Sequence, residues 1–167
     1  MELALIDLFR AKWSSMIHDE WTRSLLKNRP DLSYDDLKRT RELMDMHVRD
    51  CLVVNFEELI PALQLPDSND RHVLAAAIRG RTYVIVTHNL KDFPENELQK
   101  YGIAAQHPDE LLTHVRDLAP GTVCAAAQTH RKRLGNPLKT VEEYLECLGK
   151  QALNEFVAEL RPFARLL

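Results

Sequence analysis

Three short apolar runs, separated by stretches with helical patterning, predict an α/β fold with a largely parallel sheet. The runs are Cys51–Phe56 (CLVVNF), Tyr83–Val86 continuing into Thr87, and Ile103–Ala105. A second observation is the segment from Leu65 to Pro94, which reads as acidic loop, helix, tight turn, buried strand and polar loop. A third is the stretch after Pro120, whose patterning is helical only. Together they describe an α/β body over residues 1–118, followed by a helical extension over 119–167.

The elements follow in order. Leu3, Ile6 and Phe9 share one side of a helix over Glu2–Lys12, and Trp13-Ser14-Ser15 interrupts it. Met16–Leu26 makes a second helix, and Arg29-Pro30-Asp31 breaks the chain. Ser33-Tyr34-Asp35-Asp36 resembles a capping box with Asp at its last position, opening a third helix that runs to about Val48. Cys51–Phe56 is a strand. Asp67, Ser68, Asn69 and Asp70 can each cap a helix whose apolar positions are Val73, Leu74, Ala77 and Ile78. Gly80 suits the left-handed position that ends it. The run Tyr83–Val86 is rich in β-branched residues, as expected of a strand buried on both faces. After Pro94 come a short helix over Glu95–Tyr101, a strand at Ile103–Ala105 and a helix with Pro108 in its first turn. Helices over Thr122–Leu134 and Val141–Leu160 complete the chain, with Gly135-Asn136-Pro137 as a joint in this region.

Composition narrows the function classes. The chain has 167 residues and a net charge of −3, from 22 basic against 25 acidic side chains, which argues against a generally basic nucleic-acid binder. Three scattered cysteines, Cys51, Cys124 and Cys147, show no paired spacing, so neither a zinc site nor a disulfide framework is expected. No long apolar run is present, and Glu2 and Asp7 do not fit a signal peptide, so a cytoplasmic protein with no membrane partner is expected.

Open α/β sheets keep their chemistry outside the carboxyl ends of their strands. Asp67/Asp70 at a helix start and Asn89/Asp92 after a strand are two polar clusters that can face one crevice. The order of WSSMIHDEWTRSL, LPDSNDRHVLAAAIRG, YVIVT, HNLKDFP, YGIAAQHPDELL and NPLKTVEEYLECLGKQAL resembles the PIN-domain family, and in particular its VapC-like toxin branch. The resemblance covers residues 3–160. It implies a three-layer α/β/α sandwich around a short, mainly parallel sheet, with a helical end. It also implies a metal-dependent endoribonuclease, the toxin of a toxin–antitoxin pair, with RNA as substrate, a small antitoxin as partner and a homodimeric state.

What the resemblance implies for the site is a Mg²⁺ or Mn²⁺ ion held by carboxylates. Such ions activate water and offset charge on phosphoryl oxygens, and they take oxygen ligands while keeping several waters. Carried over residue by residue, the early-helix Glu is Glu20, the helix-opening Asp is Asp70 and the position after the strand is Asn89. Asp92 is an accessory acid and Asp67 lies nearby. Arg71 and Thr87 are candidates for contact with substrate phosphate. The family's first strand and its Asp have no counterpart in the chain. The expectation is therefore a sheet without that strand and weak or impaired nuclease activity.

Each residue also has a plainer reading. Asp70 can be an N-cap, worth about 1 kcal/mol. Glu20 can be a surface helix residue, Asn89 and Asp92 turn residues, Thr87 a strand-end cap, and Arg71 a solvated cation. His130-Arg131-Lys132-Arg133 can bind RNA backbone or simply end a helix. Trp13 and Trp21 read as core or dimer aromatics. The alternative functions are a catalytically inactive PIN-like module that binds an antitoxin or RNA, and an unrelated α/β phosphohydrolase.

Overall fold

A computed structural model of the chain describes residues 8–135 and 137–167. They form two compact units, one of residues 10–105 and one of residues 106–167 with Leu8 and Phe9. The helix over 108–118 groups with the C-terminal helices, so the division falls after Ala105.

In the first unit, α1 (Ser15–Asn28) starts at Ser14, whose hydroxyl accepts the Ile17 N–H. The expected helix over Glu2–Lys12 lies partly outside the described residues, and residues 8–12 are not helical. Backbone pairing draws the end of this stretch out straight: Trp13 N–H donates to the Cys51 carbonyl (2.9 Å) and Val53 N–H to the Trp13 carbonyl (2.8 Å). This single parallel bridge between Trp13 and Leu52 is all that remains of the strand expected at Cys51–Phe56. Asp50 and Asn55 bracket the segment with φ of 52° and 59°, left-handed conformations that end an extended run. Its side chains still alternate as a strand's do, with Cys51 and Val53 buried and Leu52 and Val54 exposed.

The second helix, α2 (Tyr34–His47), opens with the expected capping box between Ser33 and Asp36. It is tied to α1 by a buried polar network. Trp21 Nε1 donates to His18 Nδ1 (2.9 Å), His18 Nε2 lies 3.0 Å from Asp45 Oδ1, and Trp13 Nε1 donates to the same oxygen (2.6 Å). Since Nδ1 accepts from Trp21, Nε2 carries the proton and donates to Asp45. His18 is 1% exposed, so the ring has no room to turn. Burial pushes the Asp45 carboxyl up, but the His18 and Trp13 hydrogen bonds outweigh it and hold the group below the ordinary range.

The third helix, α3 (Arg71–Arg79), is the centre of this unit. Leu74, Ala75, Ala76 and Ala77 are all buried, in one core with Val53, Phe56, Leu63, Ile85 and Phe93. Gly80 ends it in right-handed conformation, and the left-handed residue is Arg81 (φ 51°). Glycine is needed at 80 for space: a Cβ there would lie 3.0 Å from both the Ala76 carbonyl oxygen and Val53 Cγ2. Strand β1 (Val84–Val86) pairs in parallel with β2 (Ala104–Gln106), and Ala104 N–H donates to the Tyr83 carbonyl (2.9 Å). The expectation of burial on both faces fails. Only Ile85 is buried, while Tyr83 is 81% and Val86 46% exposed. A two-stranded sheet leaves β1 with a single hydrogen-bonded neighbour among the described residues. Between the strands lies the short α4 (Glu95–Leu98) with a 3₁₀ turn over Gln99–Tyr101.

The second unit is helical. It contains α5 (Pro108–Leu118) and α6 (Pro120–Arg133), each opened by proline, then α7 (Val141–Gly149) and α8 (Asn154–Leu160). The proposed joint at Gly135-Asn136-Pro137 includes Asn136, which lies outside the described residues. The single helix expected over Val141–Leu160 is two helices, because the chain turns at Ala152 in left-handed conformation (φ 59°). Here α8 has no side-chain cap of its own. The buried Asp109 carboxylate on α5 accepts its first N–H groups instead, from Glu155 (2.9 Å) and Phe156 (2.8 Å). Arg131, part of the basic cluster, donates to the carbonyls of Leu167 (2.8 Å) and Lys139 (2.6 Å), so its guanidinium holds backbone.

Replacing Asp109 by Ala leaves two donors unpaired at a helix start, the Phe156 N–H buried and the Glu155 N–H partly so. We expect a loss of about 2–3 kcal/mol in urea unfolding followed by circular dichroism. A change below about 0.5 kcal/mol would show that the cap does not hold α8.

Candidate active site

All seven candidate residues lie in the first unit. Asp70 stands at the N-cap of α3, yet its side chain makes no capping hydrogen bond. That duty passes to Asp67, whose carboxylate accepts the Asn69 N–H (2.8 Å) at the preceding 3₁₀ turn Ser68–Asp70. The fold therefore does not use the Asp70 carboxylate as a cap. Burial first, then the charges of Asp67, Asp92 and Glu20, push its carboxyl above the ordinary range, with His72 opposing. Three separate elements thus bring negative charge into electrostatic reach of Asp70: the turn before α3, the loop after β1, and α1.

Beyond β1, the Thr87 hydroxyl accepts the Asn89 N–H (3.0 Å), and the Asn89 amide donates to the Asp92 carboxylate. These contacts fix the loop and hold Asp92 in place. Glu20 is exposed on α1, and its Oε2 lies 3.3 Å from Nε2 of His72, a residue that is 7% exposed. Arg71 Nε and His72 Nδ1 are both buried without a hydrogen-bond partner. No cluster of three or more His, Cys, Asp or Glu residues close enough to hold a metal ion occurs among the described residues. The donor chemistry still fits Mg²⁺ or Mn²⁺, which can bind through one or two carboxylates and keep their waters. The raised Asp70 carboxyl reflects repulsion that a cation would relieve.

Sequence reasoning passed over His72. It shows none of the spacings of metal-binding histidines, and its neighbours Asp70 and Arg71 drew the attention. The available signal was helical phase: His72 precedes Ala75 and Ala76 at the i+3 and i+4 positions, on the face α3 buries.

Because folding raises the Asp70 proton affinity, its contribution to stability is present below the ordinary carboxylate range and lost as pH rises through the raised value. Asp70→Asn should therefore raise the melting temperature of metal-free protein at pH 7, by about 2 °C, with the gain vanishing in acid. A lower melting temperature at pH 7 would show that the carboxylate stabilises the fold after all.

A family model described as the VapC50 C-terminal domain matches residues 108–162, the helices α5 to α8. A curated protein of Mycobacterium tuberculosis (strain ATCC 25618 / H37Rv), described as "Putative ribonuclease VapC50", is 40% identical over 106 residues, covering 64% of this chain and 62% of that protein. The chain thus spans about six-tenths of the length of this relative. No solved structure matches the chain at a significant level. Among the described residues, no helix is long and apolar enough to cross a membrane. Both similarities support the VapC-like resemblance read from the sequence.

Proposed function

We propose that this protein is a metal-dependent endoribonuclease of PIN type that acts as the toxin of a toxin–antitoxin pair in the cytoplasm. The observation that carries the reading is an Asp70 carboxylate that the fold leaves out of its capping, with Asp67, Asp92 and Glu20 in electrostatic reach of it. The similarity to a protein described as a VapC50 ribonuclease supports RNA as substrate and a small antitoxin as partner. A homodimer belongs to the same reading.

Glu20 and Asp70 would hold a Mg²⁺ or Mn²⁺ ion, with the Asn89 side-chain oxygen as a neutral donor. When bound, the ion supplies a water activated near neutral pH and offsets phosphoryl charge. Asp92, oriented by the Asn89 amide, is placed to take up a proton. Asp67 shapes the charge around Asp70 while its oxygen caps the turn. Arg71 would meet phosphate through its terminal guanidinium nitrogens, and Thr87 holds the loop on which Asn89 and Asp92 stand.

The second reading, a PIN-like module that binds antitoxin or RNA without cleaving, draws on the lack of a preformed three-ligand cluster among the described residues. Cleavage of RNA in Mn²⁺, abolished by chelation and lowered more than about 100-fold by Asp70→Asn or Glu20→Gln, is the expected result. Metal-independent RNA binding with no cleavage would favour the binding module instead.

A further inference from the structure

We propose that His72 is a positioning residue that holds the Glu20 carboxylate toward Asp70. This rests on the reading of Glu20 and Asp70 as metal ligands. Glu20 is exposed, with its side chain 56% accessible, and a glutamate in that setting has several rotamers open to it. Among the described residues, the group within ion-pair reach of it is His72 Nε2, at 3.3 Å. The imidazole itself cannot wander: it is 7% exposed and sits in the first turn of α3, the most buried helix of its unit. Its place two residues after Asp70 matters as well. Residues i and i+2 point away from each other on a helix, so His72 does not compete for the Asp70 carboxylate and reaches α1 instead. One short segment of α3 thereby fixes two carboxylates from two elements, Asp70 through the backbone and Glu20 through a side chain.

With its proton on Nε2 the ring can donate toward the carboxylate, and Nδ1 is then left as an acceptor. That Nδ1 is buried and has no partner. A leucine would fill the same space without leaving a buried polar atom unsatisfied, so packing alone does not account for histidine here. Orientation of a ligating carboxylate by a polar contact from outside the site does account for it.

The test uses the full chain and Mn²⁺ as the probe, with affinity read by titration calorimetry and by the Mn²⁺ electron paramagnetic resonance signal. His72→Leu should weaken Mn²⁺ binding about tenfold without lowering the melting temperature. His72→Gln, whose amide nitrogen can stand where Nε2 stood, should restore most of the affinity. In a Glu20→Gln background, His72→Leu should cost nothing further, because its effect runs through Glu20. Should His72→Leu not fold, His72→Met carries the same comparison.

Wild-type binding left unchanged by His72→Leu would overturn the role of His72 while leaving the metal site intact. An equal loss in the Glu20→Gln background would overturn the route through Glu20. A wild-type chain that binds no Mn²⁺ would overturn the metal-site reading and this inference with it.

Discussion

The close burial of α3 is the constraint on which the N-terminal unit depends. Leu74 and three consecutive alanines let other elements come near the helix axis, and Gly80 lets Val53 pack directly against its end. Small residues are what make this possible, since interiors packed to crystal-like density have no slack for larger ones. A helix held that firmly cannot shift along its axis. Its N-terminus, and Asp70 with it, is therefore a fixed point rather than a position on a loop.

A second device fixes α1, the other element that brings a carboxylate to the site. The chain Trp21–His18–Asp45–Trp13 is hydrogen-bonded at each step, and such networks are rigid when complete and costly when incomplete. Asp45 and Asp70 show how position sets the sign of a carboxylate's contribution. Both are penalised by burial, but Asp45 faces donors and Asp70 faces other acids. The first adds stability at neutral pH. The second subtracts it, as expected where a protein keeps charge together for a purpose other than folding.

Much of this was legible in the sequence. The capping box at Ser33–Asp36, the proline start of α5 and the acidic entry to α3 are local signals, and local signals were enough. The failures were non-local. Nothing within CLVVNF says that its only backbone partner among the described residues would be one residue, Trp13. Within VEEYLECLGKQALNEF only Gly149, where α7 ends, hints at the break before Ala152, and the cap that starts α8 comes from Asp109 on another helix. Gly80 was read for its backbone freedom when its missing side chain was what mattered. For the site, residue types were readable from spacing and family resemblance. The release of Asp70 from capping was not, because it depends on Asp67 taking that role.

The Asp109 cap also sets an order of events during synthesis. Its carboxylate belongs to the start of α5, but its partners are the N–H groups of Glu155 and Phe156. Until those residues have been made, Asp109 has nothing there to hold, and α8 has no start. The C-terminal unit therefore cannot close helix by helix as it is translated. It closes at the end, when its last helix meets a charge laid down at its beginning.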